Sequence, residues 1–169
     1  TGEAASLGES FYDALIKALQ AAEFNVPMEG GAVLITVGGR ELQHKITPLA
    51  KALRKLGFKI YATEHTAEAL RASGLNDVTV LYKVREADKH PNILDHLLSR
   101  KIQLVINIPA IDGTEEYTGI REDEYVIRRL AVEFNIPVVT TIELATALVR
   151  AISKTAGGKL TIRSLNEYM

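Results

Sequence analysis

The 169-residue chain contains no cysteine. That excludes a disulfide framework and any thiolate metal site, and it fits a reducing compartment. Net charge is nearly absent too: 20 Lys and Arg face 21 Asp and Glu, leaving −1. No large basic field is therefore present to hold nucleic acid or an anionic membrane. No apolar run is long enough to span a bilayer, and no signal peptide is recognisable. The chain opens on Thr1 and Gly2 rather than methionine, as either a processed protein or an excised fragment would. Motifs of the common enzyme classes are also missing: no G-x-x-x-x-G-K-[ST] loop, no G-x-G-x-x-G fingerprint and no G-x-S-x-G elbow. His44, His65, His90 and His96 lack zinc-ligand spacing such as H-E-x-x-H. No catalytic residue and no metal ligand are predicted. Asp88, Asp95, Glu122, Asp123 and Glu124 read as solvated carboxylates.

What remains is a strong alternating pattern. Hydrophobic residues make up 47% and charged residues 24%, ordinary for one globular domain with a real core. Leu7, Phe11, Leu15, Leu19 and Ala22 recur at helical steps, so Glu9–Glu23 is a predicted helix entered at Ser10. Asn25, Pro27 and Gly30–Gly31 interrupt the pattern, and the expected organisation is an N-terminal helical segment, 1–28, followed by a domain over 29–169. Ala32–Val37 is apolar on both faces except at Thr36, the mark of a parallel strand covered on both sides. Strands are then predicted at Phe58–Tyr61, Val78–Leu81, Leu104–Ile108 and Ile136–Val139. Helices are predicted at Leu42–Leu56, Thr66–Ala72, Asn92–Arg100, Glu122–Phe134 and Leu144–Ile152, with a polar loop at Ala110–Gly119 and a weak tail from Lys159. Gly57 is expected to close its helix. Five strands alternating with helices imply an α/β domain, a mostly parallel sheet with helices on both faces.

In such sheets ligands bind outside the carboxyl ends of the strands, where strand order reverses. Those ends carry Gly38–Gly39–Arg40 with Lys45 further on, then Thr63-Glu64-His65-Thr66, Lys83 and Arg85, Asn107, and finally Thr140–Thr141. Hydroxyls, an amide and cations thus share one end of the sheet, where helix N-termini add free N–H donors. The predicted site is an electropositive, hydroxyl-lined cup for a phosphate or carboxylate. Taken singly, Thr66 and Thr141 read first as N-caps and Lys83 and Arg85 as solvated surface cations, while Asn107 reads equally as an anion contact and as a loop brace.

Several stretches here resemble the methylglyoxal-synthase-like domain at the carboxyl end of the carbamoyl-phosphate synthetase large subunit. They are Gly57–Thr63 with Thr66–Ala67, Lys83–Val84, Leu104–Asn107, Tyr125–Arg129 and Ile136–Pro137. The resemblance spans essentially the whole chain. It implies a three-layer α/β/α sandwich whose five-stranded parallel sheet runs in the order 3-2-1-4-5, opening a crevice beside Gly38 and Asn107. It further implies an allosteric domain, non-catalytic by itself, that binds a nucleotide monophosphate such as UMP or IMP. The family's phosphate-site residues match Thr63, Thr66, Lys83 and Asn107. A further family lysine corresponds to Lys45, with Gln43 as the rival position. The family's ornithine-site threonine matches Thr140. His65 and Pro109 depart from the family pattern, and Val138 replaces a tyrosine. Relatives that bind N-acetylglutamate share the two threonines and the asparagine, but their tryptophan is replaced near Tyr82–Lys83. By the same resemblance the parent is a cytoplasmic ligase using ATP with Mg or Mn at sites outside this chain. It serves pyrimidine and arginine biosynthesis, its partners are the synthetase domains and a glutaminase small subunit, and homo-oligomers form. No cofactor, nucleic acid or membrane is expected for the chain itself.

Two rivals belong to other classes. Methylglyoxal synthase shares the fold but uses an aspartate after strand three, where only Asp88 is available here. A pure oligomerisation module would need no ligand at all.

Overall fold

The computed structural model describes residues 3–86, 88–109, 118–155, 160 and 162–168. Five strands, β1 (Gly31–Val37), β2 (Phe58–Ala62), β3 (Val78–Val80), β4 (Leu104–Ile108) and β5 (Val138–Val139), form one sheet in the order β3-β2-β1-β4-β5. Every pairing is parallel. Six helices accompany them: α1 (Phe11–Ala21), α2 (Arg40–Lys55), α3 (Glu64–Ala72), α4 (Ile93–Leu98), α5 (Thr118–Glu133) and α6 (Ile142–Thr155). The expected class, topology and strand order are those observed. The helices differ from expectation mainly at their ends: α2, α3, α5 and α6 each start two to four residues early.

The chain leaves β1 through α2 toward one edge, and leaves β4 through α5 toward the other. Right-handed crossovers running in opposite directions put their helices on opposite faces, and the core divides accordingly. On one face Val33, Ile35 and Val37 of β1 meet Ile16 of α1, Leu53 of α2, Leu70 of α3 and Leu148 of α6. On the other, Leu34 and Val105 meet Ile93 and Leu97 of α4 and Ile127 and Ala131 of α5. Each fully buried aliphatic of this size contributes roughly 1.5–3 kcal/mol relative to exposure. Alternation along β1 and β4 therefore assigns Thr36 and Asn107 to the α4/α5 face.

Helix α1 is capped as its sequence suggests: the Ser10 side chain accepts the Asp13 N–H at 3.2 Å. It packs on α6 as part of the same core, with Ile16 only 1% exposed. Gly57 lies just beyond α2 at φ 87°, the left-handed turn its sequence position predicts. The tail is firmer than expected. Leu160 packs on the core, a capping box holds the short 3₁₀ turn Leu165–Glu167, and Lys17 donates to the Tyr168 hydroxyl at 3.1 Å. Most of the predicted Ala110–Gly119 loop lies outside the described residues, while Thr118 and Gly119 begin α5.

Candidate functional site

A cavity of about 610 Å³ opens at the carboxyl edge of the sheet. Its floor is the end of β1, Thr36 and Val37, continued by Gly38 and Gly39. Gly39 sits at φ 81° and turns the chain into α2, from which Gln43 reaches the wall. One side is the first turns of α3, with Thr63, His65, Thr66 and Glu68; the other is Lys83 with Asp123, Glu124 and Ile127 of α5. This is the switch point of a doubly wound sheet, since β1 is flanked by β2 and β4.

The hydroxyls are held by specific bonds. Thr66 Oγ accepts the Val37 N–H at 3.2 Å and the Thr63 hydroxyl at 3.3 Å, tying α3 to the tip of β1. Thr66 was read as a possible N-cap, but α3 begins at Glu64, so Thr63 holds the cap position and Thr66 lies in the first turn. The Thr63 side chain makes no capping bond, so among the described residues the N-terminal N–H groups of α3 are left to a ligand. Thr36 pairs in register with Asn107 across the β1–β4 junction. Asn107 is completely buried; its Nδ2 donates to Thr36 Oγ, and its Oδ1 accepts from Arg128 at 2.6 Å.

The charge is not what the sequence suggests. Asp123 and Glu124 are each only 6% exposed, where solvated faces were expected. Helix α5, which runs from Thr118, carries both residues into the cavity wall. Asp123 Oδ2 lies 3.2 Å from Arg85 Nε and 4.0 Å from Lys83 Nζ, yet no N–H is aligned with it. It is the one buried side-chain oxygen among the described residues without a hydrogen bond. Among the described lining side chains Lys83 is the single permanent cation, against Glu68, Asp123 and Glu124. The cup is hydroxyl-lined as expected, but it pairs donors with acceptors rather than presenting an electropositive surface. Beside it, Glu86 accepts the Lys83 N–H and the Lys89 ammonium, and the Lys89 bond holds its carboxyl below the usual range.

Thr63, Thr66 and Lys83 thus share one cavity, and Asn107 stands directly behind its floor. Two other predicted residues do not join them. Lys45 is exposed and lines a separate groove with Phe11, Tyr12 and Arg150, because two residues of helix, roughly 200° of rotation, turn it away from its rival Gln43, which faces the cavity instead. Thr140 is exposed at the end of β5, two strands from β1, and is not in the wall. Thr141 is an ordinary N-cap, accepting the Leu144 N–H at 3.3 Å. Asp88 is exposed and also lies off the wall. Thr36, Asp123, Glu124 and Arg128 are not among the site residues that the sequence points to. The polar break in an otherwise apolar strand was a usable signal for Thr36.

Residues 45–140 match the family model described as "MGS-like domain". The carbamoyl phosphate synthase large chain, C-terminal section, of Methanocaldococcus jannaschii is 39% identical over 167 residues, 99% of this chain and 25% of that protein. The carbamoyl phosphate synthase large chain of Methanobrevibacter smithii is 38% identical over 169 residues, 100% of this chain and 15% of that protein. The chain thus spans a quarter or less of the length of these relatives. Among solved structures, methylglyoxal synthase from Elizabethkingia anophelis aligns with a TM-score of 0.53 at 15% identity, covering 73% of this chain and 79% of that one. The last likeness concerns the fold alone.

Proposed function

We infer a function from this premise: the chain belongs to the MGS-like domain family. It is the effector-binding, allosteric domain of a carbamoyl-phosphate synthetase large chain, and it takes a nucleoside monophosphate such as UMP or IMP at the strand tips. The carrying observation is the convergence of Thr63, Thr66 and Lys83 on one cavity at the uncapped start of α3. Hydroxyls, free N–H groups and an ammonium together suit a phosphate. The carboxylates opposite them support the nucleotide over a bare anion. Asp123 and Glu124 offer acceptors to ribose hydroxyls, which orthophosphate lacks and which N-acetylglutamate does not supply.

An effector alters distant catalysis only by binding one conformational state better than another. The bound phosphate, held between α3 and the Lys83 segment, biases how this domain packs on the synthetase domains and, through them, on the glutaminase subunit. Self-association through this domain accompanies that role. No chemistry is assigned to the chain itself: Asp88, the acid a methylglyoxal synthase reading would use, stands outside the cavity.

The test is a thermal-shift and calorimetric titration with UMP, IMP, ornithine and N-acetylglutamate. A ligand at one hundred times its Kd stabilises the fold by about 2.7 kcal/mol. UMP or IMP is expected to raise the melting temperature and to displace orthophosphate. Lys83→Ala is expected to weaken nucleotide binding roughly tenfold or more, the size of a charge-assisted contact. Unchanged nucleotide affinity in Lys83→Ala refutes this reading. Conversion of dihydroxyacetone phosphate to methylglyoxal would replace it with the enzyme reading.

A further inference from the structure

We propose that Arg128 and Asn107 are positioning residues that aim the Thr36 hydroxyl proton into the cavity, making Thr36 a direct hydrogen-bond donor to the bound anion. The proposal rests on the effector reading for the identity of the ligand, but its structural half stands on three side chains. Asn107 is 0% exposed, so its amide cannot turn to bulk water for a partner, and Thr36, 4% exposed, lines the cavity.

A guanidinium has donors only. Arg128 therefore accepts just one orientation of the Asn107 amide, with Oδ1 toward it, and the 2.6 Å contact has that sense. This turns Nδ2 toward β1, where it donates to Thr36 Oγ. The flipped amide would set donor against donor at Arg128. Once Thr36 Oγ has accepted from Asn107, its own proton must point elsewhere, and among the described residues no acceptor takes it. Thr36 lies on the cavity floor. An anion seated there supplies the missing acceptor. Asn107, predicted from sequence as an anion contact, instead acts through Thr36, and Arg128 acts through Asn107. Thr66 is set by the same device with a backbone donor, since the Val37 N–H occupies its oxygen.

The experiment combines calorimetric UMP and orthophosphate titrations with amide NMR. Thr36→Val removes the hydroxyl at constant shape and is expected to weaken both ligands about tenfold, while Thr36→Ser restores affinity to within about threefold. Asn107→Asp keeps its pairing with Arg128 but presents an acceptor to Thr36, capturing its proton. The expected loss is again about tenfold, and it should nearly vanish in a Thr36→Val background. An equal loss in that background means the new charge acts directly on the ligand, and overturns the proposal; so does wild-type affinity in Thr36→Val. In the NMR arm the Asn107 side-chain amide protons are expected to exchange slowly and to lose that protection in Arg128→Met. Fast exchange in the wild type overturns the proposal whether or not any anion binds. If wild-type protein binds neither UMP nor orthophosphate, the effector reading fails by itself, and the NMR arm decides the orientation.

Discussion

On the sheet face covered by α1, α2, α3 and α6, strands β1 and β4 present Val33, Ile35, Val37, Leu104, Ile106 and Ile108, all apolar and all buried. On the face covered by α4 and α5 the same two strands present Leu34 and Val105, and then Thr36 and Asn107. Helix α5 adds the buried carboxylates of Asp123 and Glu124. The first face gains stability by excluding water and needs only shape complementarity. The second gives up apolar burial at its carboxyl edge and must satisfy every polar group it encloses, by Arg128 for Asn107 and by a ligand for whatever remains. One sheet therefore keeps its larger apolar core on one side and its buried polar residues on the other, one residue out of phase by strand alternation, and the cavity lies at the carboxyl edge, where α3 brings Thr63 and Thr66 over from the apolar side.

The largest expected effect separates those roles. Phe58 is fully buried in the apolar face. Phe58→Ala should cost roughly 3–5 kcal/mol of stability through lost transfer energy and a residual cavity, read as a shift in the urea midpoint. Nucleotide affinity, measured well below the transition, should not change. A comparable affinity loss would mean that the two faces are coupled and that the division above is wrong.

A smaller effect, on the other face, concerns ligand choice. Asp123 sits between Lys83 and Arg85 and neutralises them without a hydrogen bond. Asp123→Asn should free both cations for an anion and tighten orthophosphate about tenfold. UMP should gain less, because it loses an acceptor for its hydroxyls. The measurable outcome is a fall in the ratio of UMP to orthophosphate affinity. A rise in that ratio would remove Asp123 from ligand recognition.

The contrast between the faces also explains what could be read in advance. The strand pattern, the helices and the sheet order follow from local periodicity and glycine punctuation, because each apolar run had one structural use. Thr63, Thr66 and Lys83 were legible because they end or follow strands, and the topology carries strand ends to one place. Lys45 misled because helical rotation, rather than distance along the chain, decides whether a residue after β1 faces the cavity; Gln43 has the correct phase. Asp123 and Glu124 were unreadable for a similar reason. Charged residues near a helix start are normally solvated, and only the position of α5 over the sheet turns these two inward. Asn107 is legible as a buried amide at a strand end, but its partner is not, since Arg128, which donates to its Oδ1, lies 21 residues further on.

Ion pairs near the surface provide the smallest effect, and they fall on both sides of the molecule. On α1, Asp13 accepts from Lys17 at 2.8 Å; beside the cavity, Glu86 accepts from Lys89 at 2.7 Å. In each pair the bond to the ammonium lowers the carboxyl pKa, and the bond to the carboxylate raises the lysine pKa. A lowered carboxyl favours the fold above its unfolded value, and that contribution is lost as pH falls through the folded value. A raised ammonium favours the fold below its unfolded value and loses that contribution as pH rises through the folded one. Stability should therefore hold level between the two ranges and decline at both ends. Asp13→Asn and Glu86→Gln should each flatten the acid limb of a melting-temperature profile by a small amount. They should differ in one respect only. Glu86 also holds the Lys83 backbone, so Glu86→Gln should weaken UMP binding slightly, while Asp13→Asn, on the far face, should leave it unchanged. If Asp13→Asn alters UMP affinity, α1 itself takes part in recognition.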